Sequence, residues 1–211
     1  TVLHTLYLLF NEGYKVSTGD QLIREDLCFE AIRLTSMLAE HPAGNGPQTY
    51  ALLALMLLNA ARLSSRVDAT GNLLRLQEQD RSTSNQAMIA RGILCLSQSA
   101  AGEELTTYHL QAAIAAVHCA AADYASTDWK QILSLYDQVV RLDDSPIVAL
   151  NRAVAVAEVC GPKAGIEAIE AIPKSAKLSS YYLFYAILGE FESQLSHFAK
   201  AVNHLQKAHR L

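Results

Sequence analysis

The chain has 211 residues, 51 % of them hydrophobic and 18 % charged, so it can bury a sizeable core and a disordered polypeptide is excluded. A net charge of −4, with no cluster of Lys and Arg, excludes a surface that grips nucleic-acid phosphates by displacing counterions. Only 10 Gly and 5 Pro accompany abundant Ala and Leu. That balance favours long helices with short connections, because Ala and Leu cost little in a helix and Gly and Pro cost most.

The pattern predicts a first helix over residues 2–12, with Gly13 at the left-handed position that ends it. Gly19-Asp20 starts a second helix, Asp20 being its cap and Ile23, Leu27, Ala31, Leu34 and Leu38 its inward stripe. Residues 42–47 (PAGNGP) are a break. A third helix over 48–65 is apolar nearly all round, through Leu52, Leu53, Leu55, Met56, Leu57 and Leu58, which places it at the centre of a bundle. Arg62 and Arg66 stand at its C-terminal end, where cations suit the helix dipole. Residues 67–76 (VDATGNLLRL) interrupt the periodicity, and Thr70-Gly71-Asn72 is turn chemistry compatible with a small β-hairpin. After a polar connector over 77–84, a fourth helix is expected over 85–100, with Met88, Ile89, Ile93, Leu94 and Leu96 inward.

Beyond residue 106 the chain becomes repetitive. An Ala-rich helix is expected over 107–125, and Asp128 caps another over 129–142. Ser145-Pro146 opens a helix that ends at Gly161, and Pro162 opens one that stops before Pro173. Residues 179–195 and 198–211 form the last pair. These are helix–turn–helix units of roughly 30–35 residues, the tetratricopeptide period. Ala201, Leu205 and Ala208 have the small–large–small spacing of a unit's second helix, and Ala168 and Ile172 repeat its first two positions. Ser196 stands where such units usually place Gly. The expectation is an all-α fold of about ten helices, a tetratricopeptide-like α-solenoid or an irregular helical bundle. Residues 1–100 would form an N-terminal bundle portion and 101–211 three helix pairs, packed as one continuous domain.

Catalytic chemistry is not spelled out. There is no GxSxG elbow, and the close glycines Gly44 and Gly46 are followed by Pro47 rather than by Lys and Ser or Thr. Cys28, Cys95, Cys119 and Cys160 form no CxxC pair, and each lies in an apolar helical stretch, which reads as buried free thiols. His197 and His204 lie two helical turns apart, roughly 10 Å, too far to share one ion. Glu103-Glu104 and Asp143-Asp144 precede helix starts, where they complement the positive end of the dipole. No metal, no cofactor and no enzymatic activity are expected. The longest apolar run, residues 51–58, falls short of the roughly 20 residues that span a bilayer. With no basic leader, and opening on Thr1-Val2-Leu3, the chain reads as a piece of a longer cytoplasmic polypeptide.

What does stand out is polar residues on apolar faces. Gln111 and His118 share one side of the Ala-rich helix, and Asn151 and Arg152 interrupt the apolar run 147–159. Asn11 and Glu12 close the first helix beside Tyr14, Asp80 and Arg81 sit in the connector, and Trp129 with Tyr136 gives the plainest aromatic spacing. Together with Arg62 these residues either satisfy buried backbone groups or line a polar groove for a protein or small ligand.

Six stretches carry a family resemblance: residues 7–14 (YLLFNEGY), 26–34 (DLCFEAIRL), 53–62 (LALMLLNAAR), 79–82 (QDRS), 108–118 (YHLQAAIAAVH) and 145–158 (SPIVALNRAVAVAE). In this order they resemble the C-terminal extension of bacterial extracytoplasmic-function RNA polymerase sigma factors, the group whose extension is tetratricopeptide-like. The resemblance covers almost the whole chain. Residues 75–82 are less acidic than the family pattern, and Ser196 replaces its Gly. The resemblance implies two further domains before Thr1: sigma domain 2, which binds core polymerase and the −10 element, and sigma domain 4, which reads the −35 element. The implied partners are these two domains and core RNA polymerase, without direct nucleic-acid contact by this chain. The implied role is a regulatory module that tunes promoter-specific initiation. The competing expectation is a sensor that binds a small molecule in an apolar cavity edged by groups such as Gln111, His118 and Arg152.

Overall fold

The computed structural model describes residues 2–15, 22–68, 70–173 and 176–211. Among them the fold is all-α, as the periodicity predicts. In chain order the helices are α1 (Val2–Tyr14), α2 (Glu25–Glu40), α3 (Pro47–Ala60), α4 (Gln86–Ser99), α5 (Thr107–Ala120), α6 (Trp129–Leu142), α7 (Pro146–Cys160), α8 (Pro162–Glu170), α9 (Ala176–Ser179), α10 (Tyr182–Gln194) and α11 (Phe198–Arg210). No helix among the described residues is long and apolar enough to cross a membrane. The chain divides into two compact units, Thr1–Asp128 and Trp129–Leu211. The division falls after α5, so the Ala-rich helix that the sequence reading groups with the repeats belongs to the first unit.

The first unit is built around α3. Every residue from Ala51 to Leu58 is buried, and α1, α2, α4 and α5 all pack on this helix. A helix apolar on every side is stable only when enclosed, since each fully buried Leu contributes about 1.5–3 kcal/mol relative to exposure. Gly46 and Pro47 start α3, and it ends at Ala60, five residues before the expected end, followed by a 3₁₀ turn over Leu63–Ser65.

Gly13 does not terminate α1. It lies inside the helix, without a positive φ, where the start of α2 crosses closely. A Cβ there would sit 2.7 Å from the Arg24 carbonyl oxygen and 2.8 Å from the Cys28 nitrogen. The Arg24 N–H donates to the Gly13 carbonyl at 2.8 Å. The expected start of the second helix at Gly19-Asp20 lies outside the described residues. Ile23 precedes α2, and the buried stripe is Cys28, Ala31, Ile32, Thr35 and Ala39. Along α4 the buried residues are Gly92, Cys95 and Ser99, with Met88, Ile89 and Leu96 packed at the core edge. Ile93 and Leu94, expected inward, are exposed, because they lie off the face set by Gly92 and Cys95. The Ala-rich helix stops at Ala120, not residue 125. Asp123 and Ser126 exchange hydrogen bonds there, Ser126 N–H to Asp123 Oδ1 at 2.8 Å and Asp123 N–H to Ser126 Oγ at 3.1 Å, which hold the chain in a turn.

In the second unit α7 packs on α6 and α8, and α10 on α11. Its core holds Leu150, Ala153, Ala157, Ile169, Ile172, Leu178, Leu188 and Phe191. Ser145 and Pro146 open α7 as expected, and Gly161 ends it at φ 92°. The expected helix over 179–195 is α10, which begins three residues later, at Tyr182, because Ser179 instead ends the short α9. Ser196 takes the left-handed conformation, φ 62°, in which Gly is favoured. Its N–H donates to the Ser193 carbonyl at 2.9 Å, and the His197 N–H donates to the Glu192 carbonyl at 2.9 Å. This is the Schellman closure of a helix, achieved without glycine.

Candidate functional site

The connector between α3 and α4 carries the densest polar organisation of the first unit. Asp68 Oδ1 accepts from the backbone N–H of Thr70 and Asn72 at 2.8 and 2.9 Å, and from the Thr70 hydroxyl at 2.7 Å. These bonds pull the Asp68 carboxyl down to about 2. They shape the turn that the sequence reads as a hairpin. Its only pairing among the described residues is one antiparallel bridge, Val67 to Leu73. Further on, Asp80 Oδ1 accepts from the Ser82 N–H at 2.9 Å and the Ser82 hydroxyl at 2.7 Å, capping a 3₁₀ turn over Arg81–Thr83. The Asn85 N–H reaches the Ala61 carbonyl at 2.8 Å, fastening this turn to the end of α3.

That anchoring turns Arg81 inward. Its Nη1 donates to the carbonyls of His118 at 3.0 Å and Ala121 at 3.3 Å, closing the C-terminal end of α5. Arg62, just past α3, donates from Nη2 to Gln79 Oε1 at 2.9 Å. The two residues are only 7 % and 9 % exposed, Arg62 and Arg81 respectively. Arg62 Nε and Arg81 Nε and Nη2 are shielded from solvent and have no hydrogen-bond partner among the described residues. Burial lowers the Arg81 pKa below its ordinary value, and the charge of Arg62 lowers it further, against a smaller opposing pull from Asp123. His118 feels the same field: burial first, then repulsion from Arg62 and Arg81, pushes it down to about 3, so its ring is neutral at pH 7. Cys119 donates to the Leu58 carbonyl at 3.4 Å, and burial raises its thiol. Chemically, this is a patch of fixed positive charge and unused N–H donors with a neutral imidazole beside it.

Of the sequence-predicted residues, the structure thus brings together Arg62, Arg81 and His118, with Asp80 holding the turn. The others lie elsewhere. Tyr14 stacks on Phe10 and lies under the Arg66 guanidinium, 3.7 Å from its ring centroid, while Arg66 Nη1 donates to the Tyr14 carbonyl at 2.7 Å. Asn11 and Glu12 are half-buried at the end of α1, Glu12 acting through its charge on Arg24. Gln111 receives a long hydrogen bond, 3.4 Å, from the Tyr7 hydroxyl. In the second unit, Trp129 opens α6 and is half-buried. Asn151 is exposed on α7, and Arg152 pairs with Asp137 at 2.7 Å. Sequence reasoning missed Gln79 as a site residue, although residues 79–82 carry part of the resemblance, and it missed Asp137. The cysteines also part company: Cys28 and Cys95 are buried as expected, while Cys119 is half-buried and Cys160 exposed.

The second unit holds a cavity of about 510 Å³ among α8 to α11, with Ile166, Ile169, Phe184 and Leu188 as apolar walls and Tyr185, Glu192 and His204 as polar ones. Glu192 is buried and accepts from His197 Nδ1 at 2.6 Å, with Lys200 Nζ at 3.6 Å.

Comparison with known proteins adds two similarities. The chain is 38 % identical over 197 residues to an uncharacterized protein of Rhizobium meliloti (strain 1021), a match that covers 93 % of this chain and 46 % of that protein. The chain therefore spans less than half the length of this relative. Residues 1–100 match the model of a family of unknown function (DUF6596).

Proposed function

We propose that the chain is a regulatory protein-binding module of an extracytoplasmic-function sigma factor, not an enzyme, acting in the cytoplasm. One observation carries the reading: four of the six segments that resemble that family, distant in sequence, converge in space. Residues 53–62, 79–82 and 108–118 meet where Arg62 bonds Gln79 and Arg81 bonds the His118 carbonyl. Residues 7–14 join them through the Tyr7–Gln111 bond and the Tyr7–Tyr108 ring contact at 5.4 Å. A set of short matches that closes into one packed arrangement supports a shared structure better than scattered similarity does. The length of the Rhizobium relative outside the match is room for promoter-reading domains. On α11 the side chains of Phe198 and Val202 are exposed one turn apart, an apolar pair suited to packing against another protein.

In mechanism, the helical scaffold docks on sigma domains 2 and 4 or on core RNA polymerase and biases the factor between competent and silent states. Contact energies that differ by only a few kcal/mol between the states suffice for that, roughly 5.5 kcal/mol moving a two-state equilibrium from one extreme to the other. The test deletes residues 1–211 from the full polypeptide and measures promoter-specific transcription. A changed output is expected; an unchanged one removes the reading.

A second reading, a small-molecule sensor controlling the same factor, is favoured by the α8–α11 cavity, whose volume falls within the range of ligand sites. Its polar groups would be Tyr185, Glu192 and His204 rather than Gln111, His118 and Arg152. A metabolite that raises the melting temperature of the chain, and ceases to do so in Leu188→Trp, distinguishes it.

A further inference from the structure

Among the described residues neither of these two buried arginines, Arg62 and Arg81, forms an ion pair with a carboxylate, which is unusual, and their surroundings account for only part of their charge. Arg81 closes the C-terminal end of α5, and Arg62 lies just beyond the C-terminal end of α3. A helix end offers about half a negative charge, so the end of α5 offsets roughly half of one of the two positive charges. Asp123 acts on Arg81 through its charge, yet its carboxylate is engaged with Ser126. The hydrogen-bond inventory tells the same story. Arg62 uses Nη2 on Gln79, and Arg81 uses Nη1 on two carbonyls. Arg62 Nε and Arg81 Nε and Nη2 remain as enclosed donors without a partner among the described residues. A buried N–H left unmatched costs about 1–3 kcal/mol, and more when charged, so such donors are normally matched. The Nε and Nη2 of one guanidinium form the planar fork that grips an oxyanion through two parallel bonds.

We propose that Arg62 and Arg81 form a binding site for a small oxyanion, a phosphate or a carboxylate, held by the Arg81 fork and assisted by Arg62 Nε. The enclosure of both side chains favours a small free anion over a group borne on a macromolecule. The site is a property of this chain alone and stands independently of the sigma-factor reading.

The probe is inorganic phosphate, with acetate as the carboxylate arm and chloride at matched ionic strength as the control. On the 211-residue chain at neutral pH, phosphate or acetate is expected to raise the melting temperature saturably, by about 5–10 °C at saturation, and chloride is not. Arg62→Gln is expected to weaken the half-saturation concentration at least tenfold, while Arg33→Gln, which alters an exposed ion pair with Glu30, leaves it unchanged. Arg81→Gln also removes the closure of α5 and is open to misfolding, so the decisive variant is Arg62→Gln, checked for native circular dichroism. Direct titration of phosphate by calorimetry on wild type and Arg62→Gln provides the second measurement. Equal effects of phosphate, acetate and chloride would mean that water serves these donors and would overturn the proposal. So would a response that survives in Arg62→Gln.

Discussion

Ser196 offers a sharp test of how the last helical hairpin is closed. Its left-handed backbone, φ 62°, brings a Cβ against the following carbonyl, a clash worth about 1–2 kcal/mol for an L-residue. Ser196→Gly removes that clash and keeps both closing hydrogen bonds, which are made by backbone N–H groups. Against this, glycine gives the unfolded chain more freedom, a cost of roughly 0.4–1 kcal/mol. The Ser196 side chain is exposed, so little else is lost. The net expectation is a gain of about 0.5–1 kcal/mol. Urea denaturation followed by circular dichroism reads this as a higher midpoint at unchanged slope. Ser196→Ala is the control, because it retains the Cβ and should differ little from the wild type. If glycine proves no more stabilising than alanine, the strain assigned to this turn does not exist.

Gly13→Ala should act in the opposite direction. The gain in helix propensity, about 1 kcal/mol, is outweighed because the new methyl meets the Arg24 and Cys28 backbone at 2.7 and 2.8 Å, and neither atom can yield without moving α2. A net loss of about 2 kcal/mol is expected in the same denaturation assay, and a stabilised variant would show that α1 and α2 do not approach this closely. Glu192 should govern part of the acid sensitivity. The hydrogen bond from His197, then desolvation against it, then the charge of Lys200 set its balance, and the carboxyl ends below its ordinary value. For a carboxyl lowered on folding, the stabilisation is complete above the unfolded value, about 4.3, and disappears as pH falls through the lower folded one. Glu192→Gln should therefore flatten the stability profile below about pH 5, and an unchanged acid limb would refute the assignment.

Much of the fold was legible because the signals were local. Eight consecutive apolar residues, 51–58, announce a helix that must be enclosed, and Ser145-Pro146 with Gly161 bracket α7 through the chemistry of its two ends. Two of the misreadings share a cause: tertiary contact decided what local pattern could not. Gly13 looks like a helix stop, but its lack of a side chain serves the crossing of α2. Ile93 and Leu94 look like core, yet the inward face of α4 is drawn by small residues, Gly92, Cys95 and Ser99, which hydrophobicity underweights. Alanines carry the helical pattern of α5 past its end, while Asp123 and Ser126 bend the backbone away. At the candidate site, His118 was visible as a polar residue in apolar company, Arg62 as a cation at a helix end and Arg81 as part of a polar connector. Their meeting was not, because it depends on how a connector of irregular turns folds back. Asn151 gave the same signal from an exposed position on α7, so polarity within an apolar run does not by itself report burial.

The position of α3 in the chain has a consequence for how the first unit comes into being. Its walls are supplied by helices on both sides of it in sequence, α1 and α2 before and α4 and α5 after. Synthesis therefore delivers the most apolar segment well before its last cover, and the nascent chain carries an unsheathed leucine-rich rod until residue 120 has emerged. A fragment cut at residue 100 would keep that rod uncovered on the flank where α5 belongs, and it should aggregate where the piece extended through Asp128 stays monodisperse.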